Sequence, residues 1–182
     1  MSQQITFITG NAKKAEELAS YLNYSLLHKK VDLIEIQSLD IYEIVKHKVT
    51  EAYNQIKSPV LVEDTSLIFS SLGKLPGPLI KWFSQELGNE GLCRILNEYG
   101  DRSAVAKVVL GFFDGKDIKY FEGSMDGTIS DSPRGQNGFG WDPIFIPKGF
   151  DKTWGEMTNV EKEVTSMRKL ALQKLEKFLS TI

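Results

Sequence analysis

The strongest constraint on the fold is an alternation of short apolar runs and amphipathic stretches from Ile5 to Phe69. "ITFITG" (5–10) reads as a short buried strand, and "NAKKAEELASYLN" (11–23) as a helix with Ala15, Leu18, Ala19 and Leu22 on one face. "VDLIEIQ" (31–37) is a second strand candidate. "DIYEIVKHKVTEAYNQI" (40–56) carries Ile41, Ile44, Val45, Val49, Ala52 and Ile56 at roughly helical spacing. "SPVLVEDTSLIF" (58–69) adds a third apolar strand that runs into an acidic end. Strands separated by helices pair in parallel through crossovers, so an α/β sheet is expected.

The character changes further on. "LPGPLIKWFSQELG" (75–88) holds a turn, a helix beginning near Pro78 with Leu79, Phe83 and Leu87 as its apolar stripe, and Gly88 as a stop. "NEGLCRILNEYG" (89–100) repeats the pattern, with Asn89 as N-cap and Gly100 as stop. "SAVAKVVLGFF" (103–113), the turn pair Asp114-Gly115 and "IKYFEGSMDGTIS" (118–130) read as an antiparallel meander. In the last segment Thr158 and Glu161 are spaced as a capping box, before an apolar face of Val164, Ala171, Leu175 and Phe178. No repeat, low-complexity tract or linker interrupts residues 1–182, which read as a single domain.

Composition narrows the function. A net charge of -2 lacks the basic face that a nucleic-acid polymer demands, so any phosphate ligand is expected to be small. Cys93 is the single cysteine, which excludes an intrachain disulfide and suits a reducing compartment; with two histidines it makes no standard structural zinc site. There is no membrane-length apolar run and no charged segment leading into an apolar one, so a cytoplasmic protein without membrane contact is expected. His28 and His47 both lie in polar, lysine-rich surroundings. Acid/base chemistry therefore falls to carboxylates or to a metal-bound water.

Several short motifs carry chemistry. In "TGNAKK" (9–14), Asn11 as cap puts Lys13 and Lys14 in the first helical turn, where the macrodipole disfavours cations by roughly 0.3–1 kcal/mol each. A phosphate held by the free amides reverses that sign; two solvated lysines near a helix end are the plainer alternative. "VLVEDTSL" places Glu63 and Asp64 just after an apolar strand, where open α/β sheets hold ligands and where Mg²⁺ suits carboxylate plus phosphate oxygens. The alternative there is an Asp64, Thr65 or Ser66 that caps the next element. Lys81, Lys48 and Lys162 are individually silent, and Met167 reads as core. "SPRGQNGFGWDPIFIP" (132–147) combines glycines, Arg134, Trp141 and Asp142, the parts of a nucleotide pocket or of a tight loop.

The order of these motifs, with "FEG" near Gly127 and "KTWGEM" before the capped terminal helix, resembles the inosine triphosphate pyrophosphatase family along nearly the whole chain. "PRG..GFGWDP" and "LPGP..KWF" carry the resemblance most specifically. The resemblance implies a two-lobed mixed sheet flanked by helices, a nucleotide groove between the lobes, and a homodimer formed by the smaller lobe. It implies an Mg²⁺ enzyme that cleaves inosine, deoxyinosine or xanthosine triphosphate to monophosphate and pyrophosphate. By motif, Thr9, Gly10, Asn11, Ala12, Lys13 and Lys14 are similar to the family's triphosphate cradle, with Lys48 and Lys81 as further phosphate ligands. Asp64 resembles the catalytic carboxylate and metal ligand, with Thr65 beside it, and Glu35 aligns with a second metal-binding carboxylate in less usual flanks. Phe139, Gly140, Trp141 and Asp142 resemble the base-pocket loop, whose closing on the nucleobase the family match implies, and Lys162 resembles the residue that also reaches the nucleotide.

One departure stands out. Where the family usually has Ser-His-Arg, this chain has Ser166-Met167-Arg168, which removes a base contact and leaves Arg168, a donor-only side chain suited to a purine O6. Two other readings remain: a purine-nucleotide binder that does not turn over, and a phosphotransferase built on the same cradle.

Overall fold

The computed structural model describes residues 4–22 and 26–181; the start of the chain and Asn23, the expected last residue of the first helix, lie outside them. The elements are β1 (Ile5–Ile8), α1 (Ala12–Tyr21), β2 (Leu26–Lys29), α2 (Ile41–Ile56), β3 (Val60–Phe69), β4 (Pro76–Gly77), α3 (Ile80–Ile95), β5 (Ser103–Phe113), β6 (Ile118–Ile129), β7 (Phe145–Pro147), α4 (Asn159–Thr165) and α5 (Met167–Leu179). They form a mixed seven-stranded sheet of order β2-β1-β3-β5-β6-β7, with β4 paired to β3, flanked by helices. No helix among the described residues is long and apolar enough to cross a membrane. The chain divides into two compact units, one from the described parts of Met1–Thr65, Val108–Gly123 and Arg168–Ile182, the other from Ser66–Lys107 and Ser124–Met167.

In the first unit β1 is buried throughout and pairs in parallel with β2 and β3, as the alternation requires. The core joins Ile41, Val45, Val49 and Ala52 of α2 to Ile8, Val60, Val62 and Val109 of the strands. Helix and sheet approach so closely that a Cβ on Gly111 would collide with Val45 Cγ1, which explains a glycine inside a strand. In α1 Leu18 is buried, Ala15 is half-buried and Ala19 is exposed, and the capping residue Leu22 is buried.

The second strand lies upstream of its expected position. Leu26–Lys29 pairs with β1, while residues 31–37 form no ladder. Their alternation arises because Val31 and Leu33 pack against the α2 core. Side chains of α2 replace a partner strand: Ile34 N donates to Glu51 Oε2 (2.8 Å) and Gln55 Nε2 to Asp32 O (3.4 Å). A second correction concerns Glu63 and Asp64, which sit within the ten-residue β3 and not after it.

In the second unit α3 starts at Ile80 and kinks at Gly88 (φ 62°, ψ 178°), the position read as a stop. It ends at Ile95 before a short 3-10 turn over Leu96–Glu98, ahead of Gly100. Leu87, expected on the apolar stripe, is exposed. Asn89 spends its side-chain amide on the Gly140 carbonyl (2.9 Å). The capping box at Thr158 forms, but the terminal helix breaks at Ser166, whose ψ of 115° is extended. That break changes the phase of the apolar stripe. Val164 is 76% exposed, against the expected face, and Thr165 turns inward to accept from Trp154 Nε1 (2.8 Å). Beyond the break Ala171 and Leu175 are buried and Phe178 is half-buried.

Candidate functional site

The sequence-predicted residues fall into two groups, one in each unit. In the first unit Asn11 caps α1 and accepts from Lys14 N (3.2 Å), while Thr9 Oγ1 accepts from Asn11 N (3.1 Å). Gly10 and Ala12 continue this turn, and the amides of Ala12 and Lys13 belong to the first helical turn, whose N–H groups lack intrahelical partners. His28 on β2 contacts the Thr9 carbonyl (3.0 Å). Lys13 is exposed, whereas Lys14 is drawn inward to Glu63 (Nζ to Oε1, 3.1 Å).

Glu63 has a fully buried side chain and is the anchor of this unit. Arg168 holds it with two bonds, Nε to Oε2 at 2.8 Å and Nη2 to Oε1 at 2.9 Å, and reaches Glu17 through Nη1. Burial by itself raises the Glu63 pKa; Arg168 and Lys14 outweigh it and bring it down to about 2. The guanidinium that the resemblance aims at a purine oxygen therefore faces two carboxylates here.

Asp64 is half-buried beside it, with Thr65 next along β3. Lys48 Nζ lies 3.0 Å from Asp64 Oδ1, 3.3 Å from Glu35 Oε1 and 3.3 Å from the Glu63 carbonyl. Burial pushes the Asp64 carboxyl above its ordinary range, and Lys48 and Lys14 offset this only in part. For Lys48 burial pulls the other way, yet Asp64 and Glu35 hold its ammonium above the usual lysine range. Among the described residues no three His, Cys, Asp or Glu side chains gather as metal ligands. The pair Asp64 and Glu35 nevertheless suits Mg²⁺, a hard cation that uses one or two carboxylates and completes its shell with phosphate oxygens and water.

In the second unit Asp142 is buried and organises the glycine-rich loop. Its Oδ2 accepts from Phe139 N (2.8 Å) and from Lys162 Nζ (2.7 Å). Lys162 also lies 5.6 Å from the Phe139 ring centroid and 5.8 Å from that of Trp154. Trp141 packs against Trp154 (5.6 Å) and Phe145 (5.9 Å), so part of its surface is already used in an aromatic cluster. Gly138 has φ +74° and Gly140 φ +63°, and a Cβ at Gly138 would run into Asp142. Arg134 supports the loop from outside, with Nη2 donating to Asp151 O (2.9 Å). Met167 is buried, and Lys81 is exposed in the first turn of α3, 5.2 Å from the Trp82 ring.

Sequence reasoning missed Glu17, His28, Asn89 and Trp154 as partners of these residues. Arg168 and Glu63 stand 105 positions apart, so no local pattern links them.

The chain is 43% identical to inosine triphosphate pyrophosphatase 2 of Trypanosoma cruzi (strain CL Brener) over 175 residues, 94% of this chain and 89% of the relative. Its fold matches the Ham1 protein of Staphylococcus aureus (TM-score 0.84, 26% identity, 98% of this chain and 99% of that one). It also matches a HAM1 protein from Coxiella burnetii (TM-score 0.87, 26% identity, 99% and 100%). The model of the Ham1 family matches residues 5–178, and the chain belongs to that family.

Proposed function

We infer that this protein hydrolyses inosine, deoxyinosine and xanthosine triphosphates between the α and β phosphates, with Mg²⁺ as cofactor, releasing nucleoside monophosphate and pyrophosphate. One observation carries the reading: the carboxylates of Asp64 and Glu35 converge on one cation, lying 3.0 Å and 3.3 Å from Lys48 Nζ. The relatives' names support the substrate class.

The roles follow from the chemistry of each side chain. The α1 amides with Lys13, Lys14, Lys48 and Lys81 neutralise the polyphosphate and the leaving pyrophosphate. Asp64 orients a water and accepts its proton as the water oxygen bonds to the α-phosphorus, while the α–β phosphoanhydride bond breaks and the pyrophosphate leaves with that bond's electron pair. Asp64 and Glu35 would hold Mg²⁺, which would supply the positive charge that lets phosphates adjoin these carboxylates. Phe139, Gly140, Trp141, Asp142 and Lys162 receive the purine, with Arg168 reading O6 and buried Met167 filling the position of the family's histidine.

The same resemblance supports a cytoplasmic homodimer. Trp82 and Leu87 on α3 and Val160 and Val164 on α4 are exposed apolar side chains of the second unit. Light scattering on the purified protein tests that part.

The deciding assay incubates the protein with a panel of nucleoside triphosphates and Mg²⁺. Monophosphate and pyrophosphate are expected in equal amounts from inosine and xanthosine triphosphates. Diphosphate with orthophosphate as the main products overturns the reading, and binding with no product leaves a nucleotide-binding protein in its place.

A further inference from the structure

Lys48 occupies the position where a cation shared by Asp64 and Glu35 belongs. Its ammonium makes 3.0 Å and 3.3 Å contacts with the two carboxylates and a third, 3.3 Å, with the Glu63 carbonyl. Those oxygens form the hard-donor set that suits Mg²⁺. The side chain is mostly buried, 12% exposed, so its charge is weakly screened. A divalent cation placed between the same carboxylates would face a like charge at contact distance.

We propose that Lys48 is a resident counter-ion of the Asp64 and Glu35 pair, which disfavours divalent cations in the nucleotide-free protein and yields when a polyphosphate draws the ammonium away. The inference rests on the reading of these carboxylates as the metal pair. Charge bookkeeping supports it. Arg168 and Lys14 make their contacts with Glu63, whereas Lys48 contacts both Asp64 and Glu35. A phosphate oxygen attracts an ammonium as a carboxylate does, and a polyphosphate offers several. Once Lys48 turns to it, the carboxylates regain the negative charge that binds the metal. Metal and polyphosphate thereby favour each other reciprocally, by roughly 5- to 150-fold, the usual range of coupling between two ligands. The arrangement keeps the site from trapping metal without substrate.

The test is Mn²⁺ binding to the intact nucleotide-free protein, followed by calorimetry. Lys48→Met keeps the stem and removes the charge, and Lys48→Gln guards against a folding defect in the first variant. Both are expected to bind Mn²⁺ at least about tenfold more tightly than wild type, within that coupling range. The gain should vanish when Asp64→Asn is added. Unchanged Mn²⁺ affinity in both folded variants overturns the proposal, as does a gain that survives Asp64→Asn. With α,β-methylene inosine triphosphate bound, the gap between wild type and Lys48→Met should close or reverse; a gap that stays as wide overturns the exchange. These outcomes do not depend on turnover. Release of no pyrophosphate from inosine triphosphate by wild type defeats the hydrolase reading and leaves the counter-ion result standing.

Discussion

Arg168 and Glu63 form a bidentate ion pair inside the first unit, with Nε and Nη2 each within 2.9 Å of a different carboxylate oxygen. The pair joins the start of α5 to the middle of β3, and Lys14 adds a third charge to it. Replacing one partner of such a pair leaves the other buried without compensation, which typically costs about 3–5 kcal/mol. Glu63→Gln keeps the shape and removes the charge. It is expected to lower stability by a few kcal/mol at neutral pH in urea unfolding, roughly within that range. Loss below about 0.5 kcal/mol, the scatter of ordinary surface substitutions, would show that the pair carries little.

The same pair sets an acid limb. The folded pKa of Glu63, about 2, lies below its ordinary 4.5. A depressed carboxylate contributes stability that is fully present above the ordinary value and is lost as pH falls through the folded one. Wild type should therefore lose stability between pH 4.5 and 2 in a part that Glu63→Gln lacks. Parallel unfolding curves for the two proteins across that window contradict this.

Asp64→Asn preserves shape and one oxygen while removing the proton acceptor. A kcat loss on the order of 10²- to 10⁴-fold is expected, with KM changed less because the lysines remain. Glu63→Gln, corrected for its folded fraction, should lose less. Near-normal turnover in Asp64→Asn with an inactive, folded Glu63→Gln moves the catalytic role to Glu63.

Lys162 is the partner of buried Asp142, whose other contact fixes the Phe139 amide. Lys162→Met should loosen the loop and raise KM for inosine triphosphate roughly ten- to hundredfold, the value of a hydrogen bond to a charged group. An unchanged KM in steady-state kinetics sinks the assignment of this loop to the purine.

Gly138→Ala attacks the same contact from the backbone. The position has φ +74°, and the added methyl would displace the Asp142 carboxylate. Destabilisation by about 1–3 kcal/mol is expected from the strained conformation, together with a raised KM. A thermal melt and one substrate titration decide it.

Inosine triphosphate should be preferred over ATP, because a donor-only guanidinium pairs with O6 and faces the amino group of adenine unfavourably. With Met167 in place of a histidine, the ratio of kcat/KM should fall short of the roughly 10⁴–10⁵ that a fully hydrogen-bonding site achieves. Arg168→Lys should narrow that ratio. The ratio is taken within one variant, so a reduced folded fraction does not distort it. An unaltered ratio places Arg168 solely with Glu63 and Glu17.

The β1-α1 turn, α2, the helix interruption at Gly88, read as a stop, and the Thr158 capping box were legible because each depends on residues within a few positions: a cap, a glycine with positive φ, or an apolar period of one helix. The motifs "TGNAKK", "VLVED" and "GFGWDP" likewise name their residues locally. Local pattern failed where two structures share one period. Residues 31–37 alternate like a strand, yet their alternation comes from packing on α2. Val164 fits a continuous helical face until Ser166 breaks it.

The sequence by itself determined the α/β class, the caps at Asn11 and Thr158 and the helix break at Gly88, and which side chains can carry phosphate and carboxylate chemistry, since these follow from short-range sterics and side-chain type. Tertiary structure alone decided which charges meet. It buried Glu63 with Arg168 and Lys14, set Lys48 between Asp64 and Glu35, and joined Asp142 to Lys162. Those pairings depend on distance and desolvation across separated segments, and a Coulomb interaction inside a folded chain follows spatial separation, not position in sequence.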